Sequence, residues 1–264
     1  MIKVESLQLT FNQGTPIENH VLRGLNLTIN QGEFVTIIGS NGAGKSSLLN
    51  VISGDLMVDS GNIIINEKEV TRVPAWKRAG MVARVFQDPM IGTCENLTIE
   101  ENLALAYNRG KAYQLKPALN RSLRTFFSEK LATLNLGLEN RLSDMMGLLS
   151  GGQRQAISLL MSTLQPSKLL LLDEHTAALD PKTAQFVLDL TNEIVSKSQL
   201  TTMMVTHSMK QALEYGTRTV MLHQGQVVLD ISGDERRKLT VTDLLNQFEK
   251  VRGEKITDDA LLLG

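Results

Sequence analysis

The chain has 264 residues, 42% apolar and 21% charged, with a formal net charge of −1. That is material for one large domain or two small ones around a buried core. The near-neutral balance excludes the concentrated basic surface that a nucleic-acid partner needs. One cysteine, Cys94, excludes an intrachain disulfide, and it reads as a small packing residue. The N-terminus lacks the apolar run of a signal peptide. Runs such as Leu169 to Leu172 fall far short of the ~20 residues of a membrane span. Any membrane role is therefore expected to come through a partner.

Residues 2 to 11 alternate through Ile2, Val4, Leu7 and Leu9, which predicts a strand. Val21 to Ile29 repeats the pattern. Glu33 to Ile38 is a β-branched run ending at Gly39, as in a buried strand. A helix is expected over Ser46 to Ile52, and strands at Ile63–Ile65 and Val82–Phe86. Thr98-Ile99-Glu100-Glu101 is a capping box that opens a helix. From Pro117 to Leu134, Leu119, Leu123, Phe126, Phe127, Leu131 and Leu134 recur at helical spacing. Residues 88 to about 165 thus read as a helical subdomain inserted into a sheet domain of residues 1–87 and 166–251. Lys168–Leu172 is a further buried strand. A helix follows from Asp180-Pro181 to about Ser196, with proline at its first position. Thr201–Thr206 is expected as a strand. Thr219–His223 and Val227–Ile231 form a hairpin around Gln224-Gly225. A last helix spans Thr242–Val251, and 252–264 reads as a loosely held tail.

Gly39-Ser40-Asn41-Gly42-Ala43-Gly44-Lys45-Ser46 matches G-x-x-x-x-G-K-[ST] at every fixed position. The glycines let backbone N–H groups turn inward around a β-phosphate. Lys45 can reach the β- and γ-phosphates, and the Ser46 hydroxyl suits Mg²⁺. The helix that follows points its positive end at the phosphates, and Ser47 in its first turn counts with the nucleotide-binding residues. A chance match in a chain of this length is about one in a hundred. The strand before and the helix after lower it further, so the loop predicts ATP binding.

Such a loop requires a carboxylate for the metal and a group that activates water. Leu169-Leu170-Leu171-Leu172-Asp173-Glu174 offers both at the end of a buried strand: Asp173 for the Mg²⁺ hydration shell, Glu174 as general base. Leu149-Ser150-Gly151-Gly152-Gln153 contains a capping box and predicts a helix start. Its paired glycines also leave backbone open to an anion.

In this order, the loop, Leu149 to Gln153, Asp173-Glu174 and Ala178-Leu179-Asp180 resemble the nucleotide-binding subunits of ABC transporters. Gln87, in Val85-Phe86-Gln87-Asp88, looks like that family's Q-loop glutamine. His207, in Val205-Thr206-His207, looks like its switch histidine. The resemblance runs from Phe11 to about Phe248. It implies an α/β fold: a P-loop NTPase (RecA-like) core, an antiparallel β subdomain and an inserted helical subdomain carrying the signature. It implies that Gln87 contacts Mg²⁺ or water and senses a membrane subunit, and that His207 contacts the γ-phosphate. Ser150, Gly151, Gly152 and Gln153 would meet the ATP held by an opposite protomer, and Asp180 would shape the dimer interface. Phe11 stands where the family stacks an aromatic on adenine; it reads nearly as well as a strand core residue.

The implied partners are a second copy of the chain or a homologous ATPase, integral membrane permease subunits and, indirectly, an extracytoplasmic substrate-binding protein. The implied location is the cytoplasmic face of the cell membrane. His175 stands where most of the family has proline. With that residue, Asp173 to Pro181 is similar to a narrower group of bacterial importer ATPases that accompany branched-chain amino-acid-type permeases. His20, His175 and His223 carry no motif support and read as ordinary residues. Two other readings compete. A non-transport ABC ATPase of assembly or repair fits the lack of a membrane segment, although repair members carry coiled-coil insertions that this chain lacks. A stand-alone P-loop kinase would have no use for Leu149 to Gln153.

Overall fold

The computed structural model describes residues 1–112 and 117–252. Of the expected tail, residues 253–264 lie outside the described residues. By compactness the chain divides into two units, one of Met1–Arg78 with the chain from Gln199 onward, the other Ala79–Ser198.

The first unit opens with strands β1 (Ile2–Phe11), β2 (Asn19–Ile29) and β3 (Phe34–Ile38), then helix α1 (Lys45–Ser53). Strands β4 (Ser60–Ile65) and β5 (Lys68–Glu69) and a short helix α2 (Ala75–Arg78) follow. The second unit holds β6 (Val82–Val85), α3 (Ile99–Tyr107), α4 (Arg121–Ala132), α5 (Gly151–Thr163), β7 (Leu169–Asp173) and α6 (Pro181–Ser198). The chain then returns to the first unit with β8 (Thr202–Val205), α7 (Met209–Glu214), β9 (Arg218–His223), β10 (Gln226–Ser232), α8 (Gly233–Lys238) and α9 (Val241–Arg252).

Two sheets build the first unit. One is antiparallel, in the order β2-β1-β4-β5. Its core face is the apolar set of the alternating pattern: Ile2, Val4, Leu7 and Leu9 are all buried. In the other, β3 lies between β8 and β9, parallel to both, and β10 pairs antiparallel with β9. All five residues of β3 are buried, as a run without alternation requires. Helices α7 and α9 cover one side of this sheet through Met209, Ala212, Leu244 and Phe248 against Ile38 and Met221. The β9–β10 turn is Gln224-Gly225, both at positive φ (46° and 77°), the combination that a two-residue hairpin favours.

In the second unit β6 and β7 pair in parallel, with Val82 opposite Leu169 and Val85 opposite Leu172. Thr98 caps α3 with both bonds of the capping box in place. Helix α4 starts at Arg121 rather than Pro117, because the Asn120 side chain accepts from Leu123 N at 2.9 Å and sets the boundary. Phe127 and Leu131 are its buried stripe, and Phe126 and Phe127 meet Tyr107 edge to face. Cys94 is exposed, so the packing role expected for it is wrong; it sits in a loop rather than on a buried face.

Candidate functional site

Strand β3 delivers the phosphate loop. A Cβ at Gly39, whose φ is +151°, would stand 2.3 Å from the carbonyl oxygen of Leu222 on β9. That oxygen is backbone and has nowhere to move, so the loop leaves the sheet only through glycine. Gly44 caps α1 in the left-handed region with no side-chain bond, and the first turn of α1 carries no acid. The start of such a helix presents backbone N–H groups and the positive end of its dipole, the arrangement that takes a phosphate. Lys45 is buried, and its Nζ donates to Gly39 O at 2.8 Å and Ser40 O at 3.1 Å across the loop. Asn41, Gly42 and Ser46 are exposed, and Ser40 and Ser47 are half-buried.

His207 stands at the same sheet edge. Strand β8 pairs Val205 with Ile37, and Thr206 N donates to Ile37 O at 3.1 Å. His207 follows directly, just past the carboxyl end of β8, as Gly39 lies just past that of β3. The turn is braced on both sides: Thr206 Oγ1 donates to Gln211 Oε1 at 2.7 Å, and Ser208 caps α7 through Gln211 N. In open α/β sheets ligands bind at the carboxyl ends of such strands. Phe11, the last residue of β1, is 37% exposed. It is not a core residue, so the strand-core reading of it fails.

The second unit repeats this layout. Strands β6 and β7 end at Val85 and Asp173, so Gln87 and Glu174 both lie just past the carboxyl edge of that pair. Asp173 ends β7 and accepts from Arg84 Nη2 at 2.6 Å; the two side chains are only 14% and 11% exposed. Phe86 follows two residues after Arg84, and the Arg84 guanidinium lies 4.6 Å from its ring centre. Glu174 has a left-handed φ of 47°, and its carbonyl accepts from Ala177 N at 2.9 Å.

Ser150 begins α5 with a reciprocal capping box: Gln153 N donates to Ser150 Oγ, and Ser150 N donates to Gln153 Oε1. Gly151 is exposed. A Cβ at Gly152 would fall 2.1 Å from Thr183 Cγ2, so glycine lets α5 meet α6 closely. Asp180 Oδ1 accepts from Thr183 N at 3.1 Å and caps α6; hydrogen bonding from the Thr183 side chain first, and from its backbone N–H, holds the carboxyl below its ordinary range.

The chain matches the family model described as ABC transporter over residues 22–177. It is 47% identical over 249 residues to a tyrosine transport ATP-binding protein of Clostridioides difficile (strain R20291), covering 94% of this chain and 99% of that protein. It is also 33% identical over 221 residues to the thiamine import ATP-binding protein ThiQ of Escherichia coli (strain UTI89 / UPEC), with 84% and 90% covered. The chain belongs to the ABC transporter ATP-binding family. Among solved structures, the fold of this ABC ATPase is similar to the dimeric, post-hydrolysis ATP-binding cassette MJ0796 bound to ADP and Pi, at a TM-score of 0.75 and 26% identity. That match covers 88% of this chain and 98% of the cassette. A nucleotide-binding P-loop core with one antiparallel and one largely parallel sheet is thus shared with ABC cassettes, and the chain is an ATPase of that class.

Several residues of the ABC ATPase that carry no motif also shape these edges. Arg84 holds Asp173. Gln155 of α5 donates from Nε2 to Phe86 O at 3.0 Å, fixing the backbone just before Gln87. His175 is buried at 1% exposure beside Glu174, and burial lowers its pKa from 6.5 to about 4, leaving it neutral at pH 7. None shows a repeating pattern in sequence, because each acts through contacts that only the tertiary fold makes. Among the described residues no cluster of three or more His, Cys, Asp or Glu could hold a metal, and no helix is long and apolar enough to cross a membrane.

Proposed function

We propose that this ABC ATPase is the energising subunit of an importer for a small solute such as an amino acid. The reading is carried by its similarity to a tyrosine transport ATP-binding protein along nearly the whole of both chains. The thiamine import relatives support import as the direction.

In this reading ATP sits on Gly39 to Ser46, its phosphates held by backbone N–H groups of the loop and of α1, with Lys45 donating to the β- and γ-phosphates. Phe11 offers its exposed ring to adenine. Hard oxygen donors suit Mg²⁺, which keeps few protein ligands and relies on substrate phosphates; Ser46, Asp173 and Gln87 are such donors. When bound, the ion neutralises charge on the β- and γ-phosphate oxygens. Glu174 takes the proton of the attacking water, and His207 contacts the γ-phosphate. The products are ADP and phosphate. Positioning and charge stabilisation supply most of the catalysis.

The working form is a dimer with a second copy or a homologous ATPase. Ser150, Gly151, Gly152 and Gln153 of one protomer close on the γ-phosphate held by the other, and Asp180 shapes the contact. Integral permease subunits hold the dimer at the cytoplasmic face, and a substrate-binding protein acts through them. The test is co-purification of the tagged chain from its native membrane. A stoichiometric integral membrane protein whose transported solute stimulates ATP hydrolysis is expected; a chain that hydrolyses ATP at full rate with no membrane partner overturns the importer reading. Glu174→Gln is expected to keep ATP binding and lose nearly all turnover, and Lys45→Ala to lose nucleotide affinity.

A further inference from the structure

We infer that His175, hydrogen-bonded to Thr191 of α6, is a positioning residue that holds the general base Glu174 at the end of β7. The inference rests on the proposed role of Glu174.

Glu174 occupies a left-handed conformation, φ 47°, which residues other than glycine keep only where the surroundings enforce it. Before it, β7 is locked by its pairing with β6. After it the strand has ended and the chain turns, with Ala177 N donating to Glu174 O. The next side chain supplies the tether. His175 Nε2 lies 3.0 Å from Thr191 Oγ1, and both residues are 1% exposed. The Thr191 hydroxyl donates to Val187 O at 2.7 Å, one turn back along α6. Its single proton is therefore committed, and Oγ1 can only accept from an Nε2–H. The imidazole is thus the Nε2–H tautomer, donating into an 18-residue helix whose start is set by the Asp180 cap. Proline at this position would restrict the backbone but could make no such bond.

Steady-state ATPase kinetics test this with four variants and Glu174→Gln beside them. Thr191→Val keeps shape and removes the acceptor; His175→Asn is too short to reach it. Each is expected to lower kcat about tenfold or more with KM for ATP unchanged, the effect of misplacing one catalytic group. His175→Gln places an amide N–H where Nε2 stands, and Thr191→Ser keeps the hydroxyl; both are expected within about twofold of wild type. Wild-type kcat in Thr191→Val and His175→Asn overturns the inference. So does an equal fall in all four variants, which would mean packing alone. Should Thr191→Val not fold, the two His175 variants decide. Turnover persisting in Glu174→Gln overturns the general-base reading instead, whereas a dead Glu174→Gln beside an unaffected Thr191→Val overturns only the positioning role.

Discussion

His175 and Arg84 show how single buried polar side chains define the acid edge. With its pKa lowered from 6.5 to about 4 by burial, His175 binds a proton less readily in the folded chain than in the unfolded one. The stability it contributes is complete above about pH 6.5, falls as pH drops from there to about 4, and levels off below. The total is up to about 3 kcal/mol. Urea unfolding of wild type against His175→Gln, followed from pH 7 to pH 4, is expected to show this loss in the wild type alone. Arg84 belongs to a nearly buried ion pair with Asp173. Removing one partner from such a pair leaves the other charge poorly compensated, at about 3 kcal/mol. Arg84→Met is expected to lower the unfolding free energy by that order, while Arg84→Lys, which keeps the charge but not the planar stack on Phe86, falls between.

At the scale of elements, the ends of helices carry most of the organisation. Arg78 is fully buried at the end of α2, and its guanidinium donates to Val51 O and Ile52 O, the last turn of α1, and to Val73 O and Thr71 O. Its burial lowers its pKa, with Asp55 opposing. The helix that follows the phosphate loop is thus capped at its far end by an arginine from another element. Arg78→Met strands at least two buried carbonyls and is expected to cost about 3 kcal/mol in chemical denaturation. Ser150→Ala removes one half of the α5 capping box and is expected to cost about 1 kcal/mol by the same measurement. Because the Ser150 hydroxyl is also proposed to reach the opposite nucleotide, the loss of ATPase activity should exceed what the small stability change explains.

At the scale of the whole molecule, the proposed dimer makes turnover depend on protein concentration. Specific activity is expected to rise with concentration toward a plateau, because half of each site comes from the other copy. A rate per protomer constant from nanomolar to micromolar would exclude the shared site. The similarity to a dimeric cassette concerns that protein's assembly; for this chain the titration decides.

The phosphate loop, the two capping boxes, Asp173-Glu174 and most strands were legible in the amino-acid order alone. Their physics is local: a glycine-rich turn needs its glycines at set spacings, a cap needs Ser or Thr three residues from Glu or Gln, and a buried strand needs an unbroken apolar run. The six-residue helices α7 and α8 were missed, since six residues make fewer than two turns and show no period. Helix α4 was read too long because Asn120, not the apolar spacing, ends the loop before it. Which side chains brace the edge around Asp173 and Glu174 was decided only by tertiary structure. Arg84 meets Asp173 across 89 positions, Gln155 meets Phe86 across 69, and His175 meets Thr191 across 16. No local pattern joins residues so far apart; strand register and the packing of α5 and α6 bring each pair within hydrogen-bond distance.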